Sequence, residues 1–169
     1  MEGFFIMVTK KLSVENAKII FRNFSGKEGK FNRAGDRNFS VVFDKQQGEE
    51  LSEEGWNLKI LAPRDEYEEV KYAMPVKVQY GKFPPKIYLI SGRKRQLLDE
   101  DSISCLDYAE IETVDLIIRP YNWEVNGKTG VKAYAHIMYV TIQEDRFASK
   151  YDFDDPYSRG PVDEGNMPF

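Results

Sequence analysis

Two long runs rich in β-branched and aromatic residues, Glu110–Val125 and Val131–Ile142, are separated by Asn126-Gly127-Lys128-Thr129-Gly130. Asn-Gly between such runs is the strongest short-range signal of a β-hairpin. The longest regular stretch of the chain is thereby assigned to antiparallel strands. The 11 Phe, 10 Tyr and 2 Trp extend the same preference to the rest and argue against a helical bundle.

The remaining segments follow from local pattern. Ala17–Phe24 and Arg37–Phe43 read as a strand pair, with the glycine-rich, basic stretch 25–36 as a long mobile loop between them. Gln47–Gly55 is helix-compatible, with Gly55 as its stop. Trp56–Leu61 reads as a short strand ended by Pro63. Val70–Tyr80 reads as an edge strand, because Pro75 cannot donate to a ladder. Gly81–Pro85 is a turn, Lys86–Ile90 a strand, and Ser91–Arg95 a basic turn leading into Gln96–Leu98. Asp101–Tyr108 suits one or two helical turns. About seven strands with one or two short helices make an all-β domain. A short helix placed before Glu110–Val125 fits an OB-fold, a five-stranded Greek-key barrel, here with extra strands and long loops. A β-sandwich fits the pattern almost as well.

At 169 residues the chain suits one domain, residues 1–150, with an appendage, residues 151–169. The lone Cys105 excludes an internal disulfide. No signal-peptide pattern is present, and Phe4–Val8 is far too short to span a bilayer, so a cytoplasmic, membrane-free protein is expected. The sequence leaves monomer and homodimer open. Between Asp44 and Glu69 nine acids face three bases, and this stretch should lie away from any polyanion.

The appendage has its own character. From Asp152 onward there are five acids (152, 154, 155, 163, 164) and one base, Arg159. That sum equals the net charge of the whole protein, -4, so the body is formally neutral. Three prolines and no apolar periodicity mark a segment that cannot offset its ordering entropy. It nevertheless ends on Met167-Pro168-Phe169. An acidic arm with a terminal Pro-Phe resembles the tail of bacterial single-stranded-DNA-binding (SSB) proteins. The resemblance implies that Asp154, Asp155, Asp163, Glu164, Met167, Pro168 and Phe169 would dock on replication and recombination proteins. The acids fall into two clusters divided by Tyr157–Val162, sparser than in the bacterial tail.

Bases and rings are interleaved in three places: Arg22, Lys27, Lys30, Phe31, Arg33 and Arg37; Lys77, Tyr80, Lys82, Phe83, Lys86, Tyr88, Arg93, Lys94 and Arg95; and Arg119, Tyr121, Trp123, Lys128, Lys132 and Tyr134. Cations that follow phosphates and rings that stack on unpaired bases are what single-stranded nucleic acid requires. Rings inside strands, such as Phe21 and Phe43, read instead as core. Phe31 and Phe83 sit in loops with little core to enter. On one face of Leu116–Trp123 lie Ile117, Arg119, Tyr121 and Trp123, and Lys132, Tyr134 and His136 share a face of the partner strand. The run Val114–Trp123, followed by Gly127, Gly130, Ala133-Tyr134 and Met138-Tyr139-Val140, resembles phage-encoded OB-fold single-stranded-DNA-binding proteins over residues 19–142. That resemblance implies a non-enzymatic protein, without cofactor or metal, that coats single-stranded DNA during replication or recombination. Residues alone do not separate DNA from RNA.

Two other classes stay open. Asp44, Glu110, Glu112 and Asp115 fall near strand ends, as a carboxylate-dependent nuclease would need. A β-sandwich viral structural or adaptor protein would bind no nucleic acid. Gly127-Lys128-Thr129 is no phosphate-binding loop, since the position five residues earlier is Asn122 and the context is strand–strand. The single histidine gives little support to zinc or triad chemistry.

Overall fold

The computed structural model describes residues 7–30 and 32–143. Among these residues nine strands form one sheet: β1 (Leu12–Val14), β2 (Lys18–Asn23), β3 (Arg37–Phe43), β4 (Lys59–Leu61), β5 (Lys71–Val78), β6 (Lys86–Ser91), β7 (Lys94–Leu98), β8 (Ile111–Val125) and β9 (Lys128–Ile142). One α-helix, α1 (Lys45–Glu54), and one 3-10 helix, Ile103–Asp107, complete it. The spatial order is β1-β8-β9-β5-β3-β2, with β4 beside β5 and the β6–β7 hairpin beside β9.

This order begins and ends on neighbouring pieces of chain. β1 pairs with β8 while β2 pairs with β3. Between them the backbone bends at Asn16, whose φ is +49°, and Ala17 N–H donates to the Val114 carbonyl at 2.7 Å. β1 and β2 thus act as the two halves of one bent first strand that bridges both ends of the sheet. β3 and β5 run antiparallel, β5 and β9 parallel, and β9 and β8 antiparallel. That is the OB-type arrangement, and the 3-10 helix before β8 is where the sequence placed a helix. The inward side chains Phe24, Phe39, Met74, Ile87, Ile103, Leu106, Ile118 and Met138 are fully buried.

The β8–β9 hairpin turns on Asn126-Gly127 alone, at φ +52° and +79°, the two positive values of a type I′ turn. β9 therefore starts at Lys128, three residues earlier than the sequence suggested. The helix starts two residues earlier than expected because Asp44 caps it. Its carboxylate accepts from Gln47 N–H at 2.8 Å, and the Gln47 side chain returns the bond. Gly55 ends the helix in the left-handed region.

Three expectations need correction. β5 is interior, not an edge: β3 lies along one flank, and β4 and β9 share the other. Pro75 falls between the β4 register, which ends at Ala73, and the β9 register, which begins at Val76. The proline sits at the one gap on that flank. Phe21 is not core. Its φ is +54°, the β2–β3 register shifts there, and the ring is left 69 % exposed. Lys94 and Arg95 belong to a strand, because the β6–β7 turn is only Gly92-Arg93. The loop 24–36 is cross-braced, with the Asn32 amide donating to the carbonyls of Lys27, Arg33 and Asp36.

Candidate nucleic-acid interface

Strand register builds the site. Asn38 of β3 lies opposite Lys77 of β5, Lys77 opposite Tyr134 of β9, and Tyr134 opposite Arg119 of β8. The flanking residues Phe39, Val76, Val78, Ala133, Ala135 and Ile118 are buried, so alternation turns this row outward. Tyr121 and Lys132 form the next outward pair along β8–β9. The acidic helix follows the far end of β3, five residues or about 17 Å along the strand from Asn38.

The β5–β6 loop borders the row, and the two line an open groove of about 300 Å³ formed by Gln79, Lys82, Phe83, Arg119, Tyr121 and Tyr134. Arg119 sits between two rings, its guanidinium carbon 5.7 Å from the Phe83 centroid and 5.4 Å from that of Tyr134. Lys82 Nζ stands 5.7 Å from Phe83. Tyr121 meets Tyr134 edge to face at 6.0 Å. Phe83 is 66 % and Tyr121 50 % exposed. Solvent-facing rings with cations held over them suit a ligand that is both flat and anionic.

A second hollow of about 660 Å³ adjoins the groove and shares Gln79 and Tyr134 with it. Its wall carries Arg37, Asn38, Lys77, Tyr80 and Glu100. Arg37 Nη1 pairs with Glu100 Oε1 at 3.4 Å, and its guanidinium lies 6.0 Å from the Tyr80 ring. Burial pushes the Tyr80 phenol up to about 12, so it stays protonated. Its oxygen and Arg37 Nε are buried without a hydrogen-bond partner among the described residues.

The other residues singled out from sequence scatter. Arg22 holds the 3-10 helix to β2, its Nη1 donating to the carbonyls of Leu106 and Ala109 at 2.9 Å each. Its cation is occupied structurally, away from the groove. Lys27 Nζ donates to the Tyr108 hydroxyl at 2.7 Å. Lys30 and Arg33 lie in the exposed loop before β3, and Phe31 lies outside the described residues, as do Asp154, Asp155, Asp163, Glu164, Met167, Pro168 and Phe169. Trp123 packs over Gly130, where an added Cβ would meet its ring at 2.6 Å. Lys128 is exposed at the hairpin tip. Lys86, Tyr88, Arg93, Lys94 and Arg95 belong to the β6–β7 hairpin.

Sequence reading missed Asn38, Gln79 and Glu100, polar residues whose only signal is the register that brings them to the row. His136, expected from sequence to be packed or partly exposed, is half-buried. His136 Nε2 lies 3.2 Å from Lys11 Nζ. Burial first, then Lys11, Arg119 and Lys86, hold its pKa below the ordinary 6.5, which marks a concentration of positive charge beside the groove. The carboxylates proposed for a nuclease are not gathered. Asp44 caps α1, and Asp115 accepts from Asn16 N–H at 2.9 Å. No cluster of three or more metal-ligating side chains occurs among the described residues. No helix among them is long and apolar enough to cross a membrane.

An OB-type fold whose outer face joins solvent-facing rings to cations has the chemistry that single-stranded nucleic acid requires. The family is now identifiable: residues 5–160 match the family described as "Putative phage ssDNA-binding domain", and the chain belongs to that family of phage single-stranded-DNA-binding proteins. Among solved structures it is similar to the single-stranded DNA-binding protein from bacteriophage Enc34 in complex with ssDNA. There the TM-score is 0.54 at 12 % identity, over 81 % of this chain and 89 % of that one. A second structure of the single-stranded DNA-binding protein from bacteriophage Enc34 gives a TM-score of 0.52 at 13 % identity, over 87 % of this chain and 89 % of that one. Both show the shared fold. No curated protein matches by sequence.

Proposed function

We propose that this protein coats single-stranded DNA with little sequence preference during phage DNA replication and recombination, in the cytoplasm of the infected cell. The groove in which Arg119 sits between Phe83 and Tyr134 carries the reading. Every base has a π-face, so rings of this kind hold strands whatever their sequence, at about 1–3 kcal/mol per stacked base. Lys77, Lys82, Arg119 and Lys132 would neutralise the phosphates between them. Cleavage is no part of the proposal: what supports a binding role is a site built of rings and cations.

Titration with oligo-dT at two salt concentrations tests it. Trp56 is 5 % exposed, so the fluorescence signal should come from Trp123. Quenching is expected, with log K falling by about 0.7 per neutralised phosphate per log unit of salt. Flat fluorescence together with flat anisotropy of a labelled strand at low salt would remove the proposal.

The acidic tail would recruit replication and recombination proteins through Met167-Pro168-Phe169, and would compete with DNA for the basic groove when no strand is bound. Complementary charge supports this: the tail carries the whole net charge of -4. A chain lacking 152–169 is expected to bind oligo-dT more tightly at low salt and equally at high salt. Unchanged affinity at low salt would rule the competition out.

A further inference from the structure

β9 changes its outward set halfway along. Ile117 pairs with Ile137 and Ile118 with Ala135, leaving His136 as an extra residue. Across this β-bulge the inward positions pass from Val131, Ala133 and Ala135 to Met138 and Val140, all buried. Tyr139 consequently faces outward with Tyr134, where strict alternation would have turned it inward. Its ring stacks on Tyr88 of β6 at 5.1 Å and 12°, and the Arg95 guanidinium lies 5.0 Å from the Tyr88 centroid. Tyr139 keeps 36 % of its surface exposed.

Between this stack and the groove lies positive charge. Lys86 is opposite Ile137, and Lys11 reaches His136. Along the outer face of β9 the order is ring (Tyr134), cations (Lys11, Lys86), ring (Tyr139 on Tyr88, with Arg95). A cross-strand tyrosine pair can exist simply to stabilise a sheet. That role does not require an aligned arginine at one end, nor a cationic path to a second set of exposed rings.

We propose that the Tyr88–Tyr139 stack is a second base-stacking subsite for the same nucleic-acid strand, which would run lengthwise over β9 from the Phe83–Tyr134 groove across Lys11 and Lys86. The proposal rests on the single-strand-binding reading above. Tyr134 and Tyr139 are about 15 Å apart along the strand, a span that about five stacked nucleotides fill and fewer extended ones do. Asp115 lies across from Tyr139 on β8, so the path leaves on the opposite flank, toward Arg95 and the turn residue Arg93.

Length dependence is the test. The groove offers more rings, so a short strand settles there and only a longer one reaches Tyr139. Anisotropy is measured with labelled oligo-dT of about 5 and about 20 nucleotides, bracketing the usual range for one barrel. Tyr139→Ala is expected to weaken the long strand about tenfold and the short one less than twofold, whereas Tyr139→Phe keeps both. Arg95→Ala, which leaves both tyrosines in place, should also weaken only the long strand and flatten its salt slope by about 0.7. Equal losses at both lengths, or no loss at either, would overturn the subsite. If the unaltered protein binds neither strand, the single-strand-binding reading itself has failed.

Discussion

Phe39→Ala is expected to lower the stability of the domain by about 3–5 kcal/mol, a large share of the roughly 5–15 kcal/mol that a domain has in all. Phe39 is 1 % exposed and stacks on Phe24, which is fully buried, at 5.2 Å and 22°. Removing the ring loses its transfer energy, opens a cavity in the core, and leaves Phe24 without its partner. The damage also reaches the 3-10 helix, because the Asp107 carboxylate accepts from the backbone N–H groups of Phe24 and Ser25 at 2.6 and 3.0 Å. Urea denaturation followed by far-UV circular dichroism would read the loss, and Phe39→Leu should recover most of it. A loss below about 1 kcal/mol would mean that the core collapses around the gap and does not depend on the ring.

The largest effect on binding is expected from Phe83→Ala with Tyr134→Ala. Each single change removes one stacking face, about 1–3 kcal/mol, or very roughly tenfold in affinity. The pair should fall short of the product of the two, because Arg119 lies against both rings and is already loosened by the first change. Neither ring neutralises a phosphate, so the salt slope should stay where it was. Arg119→Gln should do the reverse, flattening the slope by about 0.7 while leaving ring contacts in place. Anisotropy at three salt concentrations separates the two kinds of loss. A ring variant that changes the slope would mean that the groove is mispositioned, and not merely missing a stacking face.

The parts of this molecule legible from sequence are those where one residue imposes one backbone state. Asn126-Gly127 demanded a hairpin, Gly55 ended the helix, and alternation placed Arg119, Tyr121 and Trp123 on a common face. The failures occur where a residue's meaning depends on a neighbour distant in the chain. Pro75 reads as an edge marker until two partial strands are found to share its flank. Phe21 reads as core until a positive φ throws it outward. Tyr139 is hidden by the bulge at His136, although the apolar set passing from Ala133 and Ala135 to Met138 and Val140 records that bulge in the sequence. The groove took Arg119, Tyr121 and Tyr134 from the third cluster, and Lys82 and Phe83, in its loop, from the second. The first cluster went largely elsewhere, because Arg22 and Lys27 bond within the chain.

The bent first strand also sets a timetable. Val14 pairs with Leu116, 102 residues later, so β1 must wait for β8 to be made. At roughly 5–20 residues per second, the amino-terminal strands leave the ribosome about 5–20 s before their partner exists. Until then β1 presents an unpaired edge to the crowded cell, and the long β8–β9 hairpin, the last of the described strands to be synthesised, is the piece that removes it.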